Sequence, residues 1–163
     1  MDGEGRWAPV SDFLGGGQPT FLGTYTPRLD DKGRLILPAK FRGQLAPGFV
    51  MTRGQEHCLY VLPFEEFRRM HDTIGESSVT DKQARNYSRV FLSGATDELP
   101  DKQGRISIPA PLRVYAGLDR DVAVIGVGRR VEIWDLATWE SYLAAEEGNY
   151  ADASEGVSSN RTL

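Results

Sequence analysis

GRLILPAKFR at residues 33–42 returns as GRISIPAPLR at residues 104–113, an offset of 71. Upstream, Asp30-Asp31-Lys32 precedes the first Gly-Arg and Asp101-Lys102-Gln103 the second. Both copies therefore read D-x-x-G-R, then an alternating strand, then Pro-Ala. Gly23 and Gly94 match at the same offset. Downstream the register slips by one, so that Leu59-Tyr60-Val61-Leu62 faces Val131-Glu132-Ile133-Trp134, and Phe64 with Phe67 faces Leu136 with Trp139. So many matches in one order mean a duplicated unit of about 50 residues.

Each copy reads in the same sequence of elements. A first strand (residues 21–29; 91–99) runs into the D-x-x-G-R turn, where Gly33 or Gly104 supplies the positive φ of a tight reversal, so a hairpin is expected. The next strand alternates. Leu35 and Leu37 oppose Ile36, as Ile106 and Ile108 oppose Ser107, the period of a half-buried strand. Pro38 and Pro109 suit the first turn of short helices over 38–45 and 109–116. Two further strands flank a turn at Gly54 (49–53, 58–62) and at Gly128 (122–127, 131–134). Amphipathic helices close the copies, spaced by Phe64, Phe67 and Met70, and by Leu136, Trp139 and Leu143, with Asp135 as an N-cap. Residues 80–92 read as helix between the copies, with Ala84, Tyr87, Val90 and Phe91 for one face. A four-stranded unit this small buries too little surface to stand alone. The expected fold is mainly β with flanking short helices: one pseudo-twofold barrel or sandwich from both copies, bringing the two turns near each other.

The chain has 163 residues and a net charge of -4, which excludes a uniformly basic nucleic-acid binder. The charge is not uniform, however. Residues 1–20 carry -2 and residues 140–163 carry -4, leaving +2 for the repeated middle. Residues 28–53, with Arg28, Lys32, Arg34, Lys40, Arg42 and Arg53 against Asp30 and Asp31, carry +4; the matching residues 99–124 carry +1. Arginine offers a planar fork matched to phosphate or to a guanine edge. Arg34 directly follows a turn glycine, where little bulk obstructs an approaching duplex. Arg34, Lys32 and Arg28, then Arg105 and Lys102, are the DNA-binding candidates, with the first copy the stronger. Asp30, Gly33, Asp101 and Gly104 would shape the turns and orient the arginines. Asp30 and Arg34 could also simply pair across the turn, and the two roles are compatible. One chain's charge is modest, so useful affinity needs several copies acting together.

Two copies of this motif, with FLGTYTPRLDDKGRLILPAKFR near the start and VIGVGRRVEIWDLATWESY near the end, resemble the MraZ family over residues 21–150. The resemblance implies two tandem AbrB-like repeats in a swapped-hairpin β-barrel, a ring-shaped homo-oligomer, and a transcriptional regulator binding short direct repeats in a promoter, often that of its own division and cell-wall gene cluster. The family's D-x3-R residues fall on Asp30 and Arg34, and again on Asp101 and Arg105. The expected division is an N-terminal extension (1–20), a first repeat (21–67), a connecting helical segment (68–90), a second repeat (91–139), and a helix end with an acidic tail (140–163). Members typically begin near Phe21, so residues 1–20 depart from the pattern. GGGQPT at 15–20 and the end from residue 151 have the composition of disordered tails.

Other chemistry is poorly signalled. His57 and Cys58 would point to opposite faces of a strand, which separates nucleophile from base. Two histidines and one cysteine, without Cys-x2-Cys spacing, argue against zinc. The glycines at 15–17 lack the strand and the Gly-Lys-Ser/Thr of a phosphate loop. Trp134 and Trp139 could stack on single-stranded bases, but their spacing suits a core. Asp97, Glu98, Asp119 and Asp121 read as solvated turn residues. No enzyme activity, cofactor or small-molecule substrate is expected. Without a basic signal start, a spanning segment or a second cysteine, the chain reads as cytoplasmic, and the DNA binding that the resemblance implies makes it nucleoid-associated. The competing reading is an oligomeric scaffold built on the same barrel without specific DNA binding.

Overall fold

The computed structural model describes residues 20–153, so the disorder expected for residues 1–19 and 154–163 lies outside the described residues. Elements follow one order twice. The first copy runs β1 (Phe21–Tyr25), β2 (Arg34–Ile36), α1 (Ala39–Leu45), β3 (Phe49–Arg53), β4 (Leu59–Pro63) and α2 (Phe64–Gly75). After α3 (Lys82–Ser93) come β5 (Thr96–Glu98), β6 (Arg105–Ser107), α4 (Ala110–Tyr115), β7 (Val122–Gly128), β8 (Arg130–Asp135) and α5 (Leu136–Asp152).

One sheet has the order β1-β7-β8-β4-β3-β5, and β2-β6 forms a separate two-stranded ribbon. Exchanging each strand for its repeat equivalent (β1 with β5, β3 with β7, β4 with β8) returns the sheet order reversed. The arrangement is thus its own pseudo-twofold image, with the axis between β4 and β8 and the β2-β6 pair straddling it.

The exchange of partners replaces the expected hairpins. β1 pairs with β7 of the other copy, β5 with β3, and β2 with β6, all antiparallel. A D-x-x-G-R turn therefore joins strands of two different sheets. The first strands are also shorter than expected. β1 ends at Tyr25 ahead of Pro27, which has no N–H to give a ladder, and Arg28 makes only an isolated bridge to Asp121. Residues 91–93 are helical, because Phe91 is buried between the rings of Phe67 and Tyr87 at the end of α3. Asp97 and Glu98 are strand residues rather than turn residues, and Glu98 accepts the Ser107 N–H at 3.0 Å.

Strands β4, β7 and β8 are near-continuous apolar runs because both faces are covered. Leu59, Val61, Val122, Val124, Val131 and Ile133 point into a core shared with Leu35, Leu37, Ile106 and Ile108 of the ribbon and with Phe41 and Leu112 of α1 and α4. Their alternates, Tyr60, Leu62, Ala123, Ile125 and Trp134, join Phe91 in a second cluster on which Phe67, Met70, Leu136 and Trp139 pack. Phe64 and Leu143, expected on the apolar helix faces, are instead exposed at 45% and 37%. The prolines at 38 and 109 sit one position earlier than expected, as N-caps of α1 and α4. Asp135 caps α5 by accepting the Thr138 N–H. That helix continues through residues 151 and 152, which the composition suggested were tail. The β3-β4 link is longer than a glycine turn: a 3-10 segment, Gln55–His57, in which Glu56 and His57 take positive φ.

Candidate nucleic-acid interface

Each D-x-x-G-R turn is closed by its first and last residues. The Asp30 N–H donates to the Arg34 carbonyl at 2.8 Å and the Gly33 N–H to the Asp30 carbonyl at 3.0 Å. Gly33 takes φ 74° and Gly104 φ 76°, a left-handed conformation that costs any other L-residue roughly 1–2 kcal/mol. One Asp30 oxygen, Oδ1, accepts the backbone N–H groups of Lys32 and Arg34, both at 2.9 Å. The other, Oδ2, accepts Arg34 Nε at 2.8 Å. The second turn repeats this atom for atom. Asp101 Oδ1 takes the N–H groups of Gln103 and Arg105 at 2.9 and 2.8 Å, and Oδ2 takes Arg105 Nε at 2.7 Å. Both aspartates are held below the ordinary carboxylate range, chiefly by the backbone N–H of Arg34 or Arg105, with that arginine's side chain adding to it.

Pairing and orientation are therefore one arrangement. Each carboxylate engages Nε, and among the described residues neither guanidinium makes another hydrogen bond. The paired Nη groups of each arginine remain available as a fork of donors.

The ribbon brings the two turns together. Arg34 lies opposite Ser107, Leu35 opposite Ile106 and Ile36 opposite Arg105. Leu35 and Ile106 face the core, so Arg34, Ile36, Arg105 and Ser107 share the outer face. Arg34 and Arg105 are diagonal neighbours on it, a spacing of roughly 7–8 Å in an antiparallel pair.

Lys32 and Lys102 are exposed at the tips of their turns. Arg28 lies farther back, its Nε bound to Asp121 at 2.9 Å, and Arg120 reaches Asp31 at 3.3 Å. These exposed pairs tie the first turn to the second copy but add little stability. A cleft of about 440 Å³ borders the first turn, between Asp30, Gly33, Arg113 and Arg120.

Two residues that sequence reasoning counted only as local charge also belong here. Arg113 packs against Gly33 and Arg42 against Gly104, each reaching across to the other copy's turn. Their signal was present in the sequence, since each is the last residue of its motif copy.

The remaining candidates lie elsewhere. Cys58 is buried with its thiol donating to the Gln55 carbonyl at 3.1 Å, and burial pushes its pKa up, away from the thiolate form. His57 is exposed, its ring tilted against that of Tyr115 at 5.3 Å. Trp134 is buried, donating to Glu132 at 3.0 Å. Among the described residues no group of three His, Cys, Asp or Glu side chains could hold a metal, and no helix is long and apolar enough to cross a membrane.

Comparison with known proteins finds two tandem matches. The family model described as "MraZ protein, putative antitoxin-like" matches residues 20–90 and again residues 91–160. Over 137 residues, 84% of this chain, the sequence is 66% identical to the transcriptional regulator MraZ of Kineococcus radiotolerans, covering 96% of that protein. The proteins of that name from Micrococcus luteus and Kocuria rhizophila are 62% and 64% identical over the same shares. With one match for each motif copy, and relatives this similar along nearly their whole length, the chain belongs to the MraZ family.

Proposed function

We propose that this protein is a DNA-binding transcriptional regulator that reads short direct repeats in a promoter, that of its own division and cell-wall gene cluster, by presenting its ribbon face from a ring-shaped homo-oligomer. The observation that carries this reading is the shared outer face. Two arginines there are held alike by Asp30 and Asp101, with a donor fork left on each. A fork fixed before contact loses little side-chain freedom on binding and matches guanine O6 and N7. Because each arginine's charge is partly offset by its aspartate, attraction to phosphate falls to Lys32 and Lys102. A ring multiplies that modest attraction, since adjacent subunits engage successive repeats.

The test is a mobility-shift titration with duplex DNA from upstream of the gene, comparing wild type with Arg34→Ala, while light scattering follows the oligomer. The expected result is weakened binding with assembly unchanged. Unchanged binding would remove Arg34 from the interface, and no shift with either protein would favour the scaffold reading.

A further inference from the structure

We infer that Arg42 and Arg113 are crosswise positioning residues: each holds the DNA-reading turn of the opposite repeat. The inference rests on the DNA-binding reading above for its consequence, and on the following geometry for its substance.

Arg113 belongs to α4, in the second repeat. Its Nη1 donates to the Ile108 carbonyl. The Ile108 N–H in turn donates to the Gly33 carbonyl, in the first repeat, at 2.9 Å. A Cβ placed on Gly33 would lie 2.7 Å from Arg113 Cζ and closer still to Nη1, so the guanidinium lies directly on the glycine that shapes the first turn. The mirror set is complete. Arg42 Nε donates to the Leu37 carbonyl at 2.9 Å, and the Leu37 N–H donates to the Gly104 carbonyl at 2.9 Å. A Cβ on Gly104 would lie 2.7 Å from Arg42 Nε. Each turn thus stands between its own aspartate and an arginine from the other repeat. The glycines serve twice, once through φ and once through the missing Cβ that admits the arginine.

Removing Arg113 should therefore loosen Asp30 and Arg34, not Asp101 and Arg105, which are nearer only in sequence. Positional precision matters because a bidentate contact tolerates little misplacement.

The experiment is a set of double-mutant cycles in the full chain. Arg113→Met should weaken DNA binding about tenfold, the low end of what one bidentate arginine supplies. It should add nothing to Arg34→Ala and combine additively with Arg105→Ala; Arg42→Met should show the reverse pattern. Coupling of Arg113 to Arg105, or additivity with both, overturns the inference. A direct phosphate contact by Arg113 would also be additive with Arg34→Ala. A second arm needs no DNA: amide exchange in free protein. Arg113→Met should deprotect the Lys32 and Arg34 amides and spare those of Gln103 and Arg105. If Arg34→Ala leaves DNA binding unchanged, the DNA role of Arg34 fails, and if wild type binds no DNA the DNA reading itself fails; in either case the crosswise contact stands or falls on the amides alone. Should Arg113→Met not fold, Arg113→Lys keeps the charge but removes the flat guanidinium, and must show the same crosswise amide pattern.

Discussion

Arg34 and Arg105 lie 71 residues apart in the chain, yet they are diagonal neighbours on the outer face of a ribbon only three residue pairs long. Each is paired through Nε to the aspartate that opens its own turn. Antiparallel pairing about a pseudo-twofold axis presents the two forks side by side, which makes one patch from two distant motifs.

The two turns have almost identical geometry, so any difference between them in DNA binding must come from their surroundings. Residues 28–53 carry +4 and residues 99–124 carry +1. Arg34→Ala is expected to cost about 1–3 kcal/mol of binding, and Arg105→Ala less. Affinities of both variants from one titration series check this, and the reverse order refutes it. In the same series log affinity should fall steeply with log salt, as phosphate contacts require.

Acid should release both arginines, but only well below neutral pH. The folded pKa values of Asp30 and Asp101 lie below the ordinary 3.8, so the unfolded chain takes up these protons first. The stabilisation they provide is complete above the unfolded value and is lost as pH falls through the lower folded value. Turn geometry is therefore expected to be flat from neutral to about pH 5 and to change only below it. A carboxyl NMR titration placing either aspartate at or above 3.8 would contradict this.

Gly126, in the middle of β7, has no room for a side chain. A Cβ there would run into the backbone of Phe21 and Leu22 in β1, which cannot swing aside as a side chain can. Gly126→Ala should push β1 off the sheet and expose Phe21, now fully buried against the ring of Phe41. Overpacking of this kind costs about 1–3 kcal/mol. Thermal melts of Gly126→Ala and of Gly43→Ala, where nothing lies within 4 Å, separate this clash from the general effect of losing a glycine.

Glu132 is buried at 7% exposure, with Arg130 at 2.7–2.8 Å and Trp134 Nε1 at 3.0 Å on its two oxygens. Arg130 also lies 4.6 Å over the Tyr60 ring. Glu132→Ala leaves the indole N–H without its acceptor and the arginine without its partner. Because the Arg130 side chain keeps 33% exposure, the loss should fall near the low end for a buried pair, about 3 kcal/mol. Denaturant unfolding measures it, and a change under about 1 kcal/mol would mean that water or another acceptor takes the place of Glu132.

What could be read from the chain was local. The turns at Asp30 and Asp101, the inward placing of Leu35, Leu37, Ile106 and Ile108, the starts of α1 and α4 and the Asp135 cap each depend on residues within a few positions. Two copies of one local code also marked the pseudo-twofold. Phe91 reads both as the start of a strand and as part of one face of the preceding helix; stacking with Phe67 and Tyr87 accompanies its place in the helix.

Strand partners were beyond reach. A sequence shows that a strand has an inward face, but not which of several similar strands will fill its hydrogen bonds. The choice between β2 and β7 as neighbour of β1 is made by burial summed over the whole core. Arg42 and Arg113 show the same division. By sequence each belongs to its own repeat as a unit of charge. Only after β2 and β6 cross the axis does each come to rest on the other repeat's glycine, because the packing that puts them there is assembled from both halves at once.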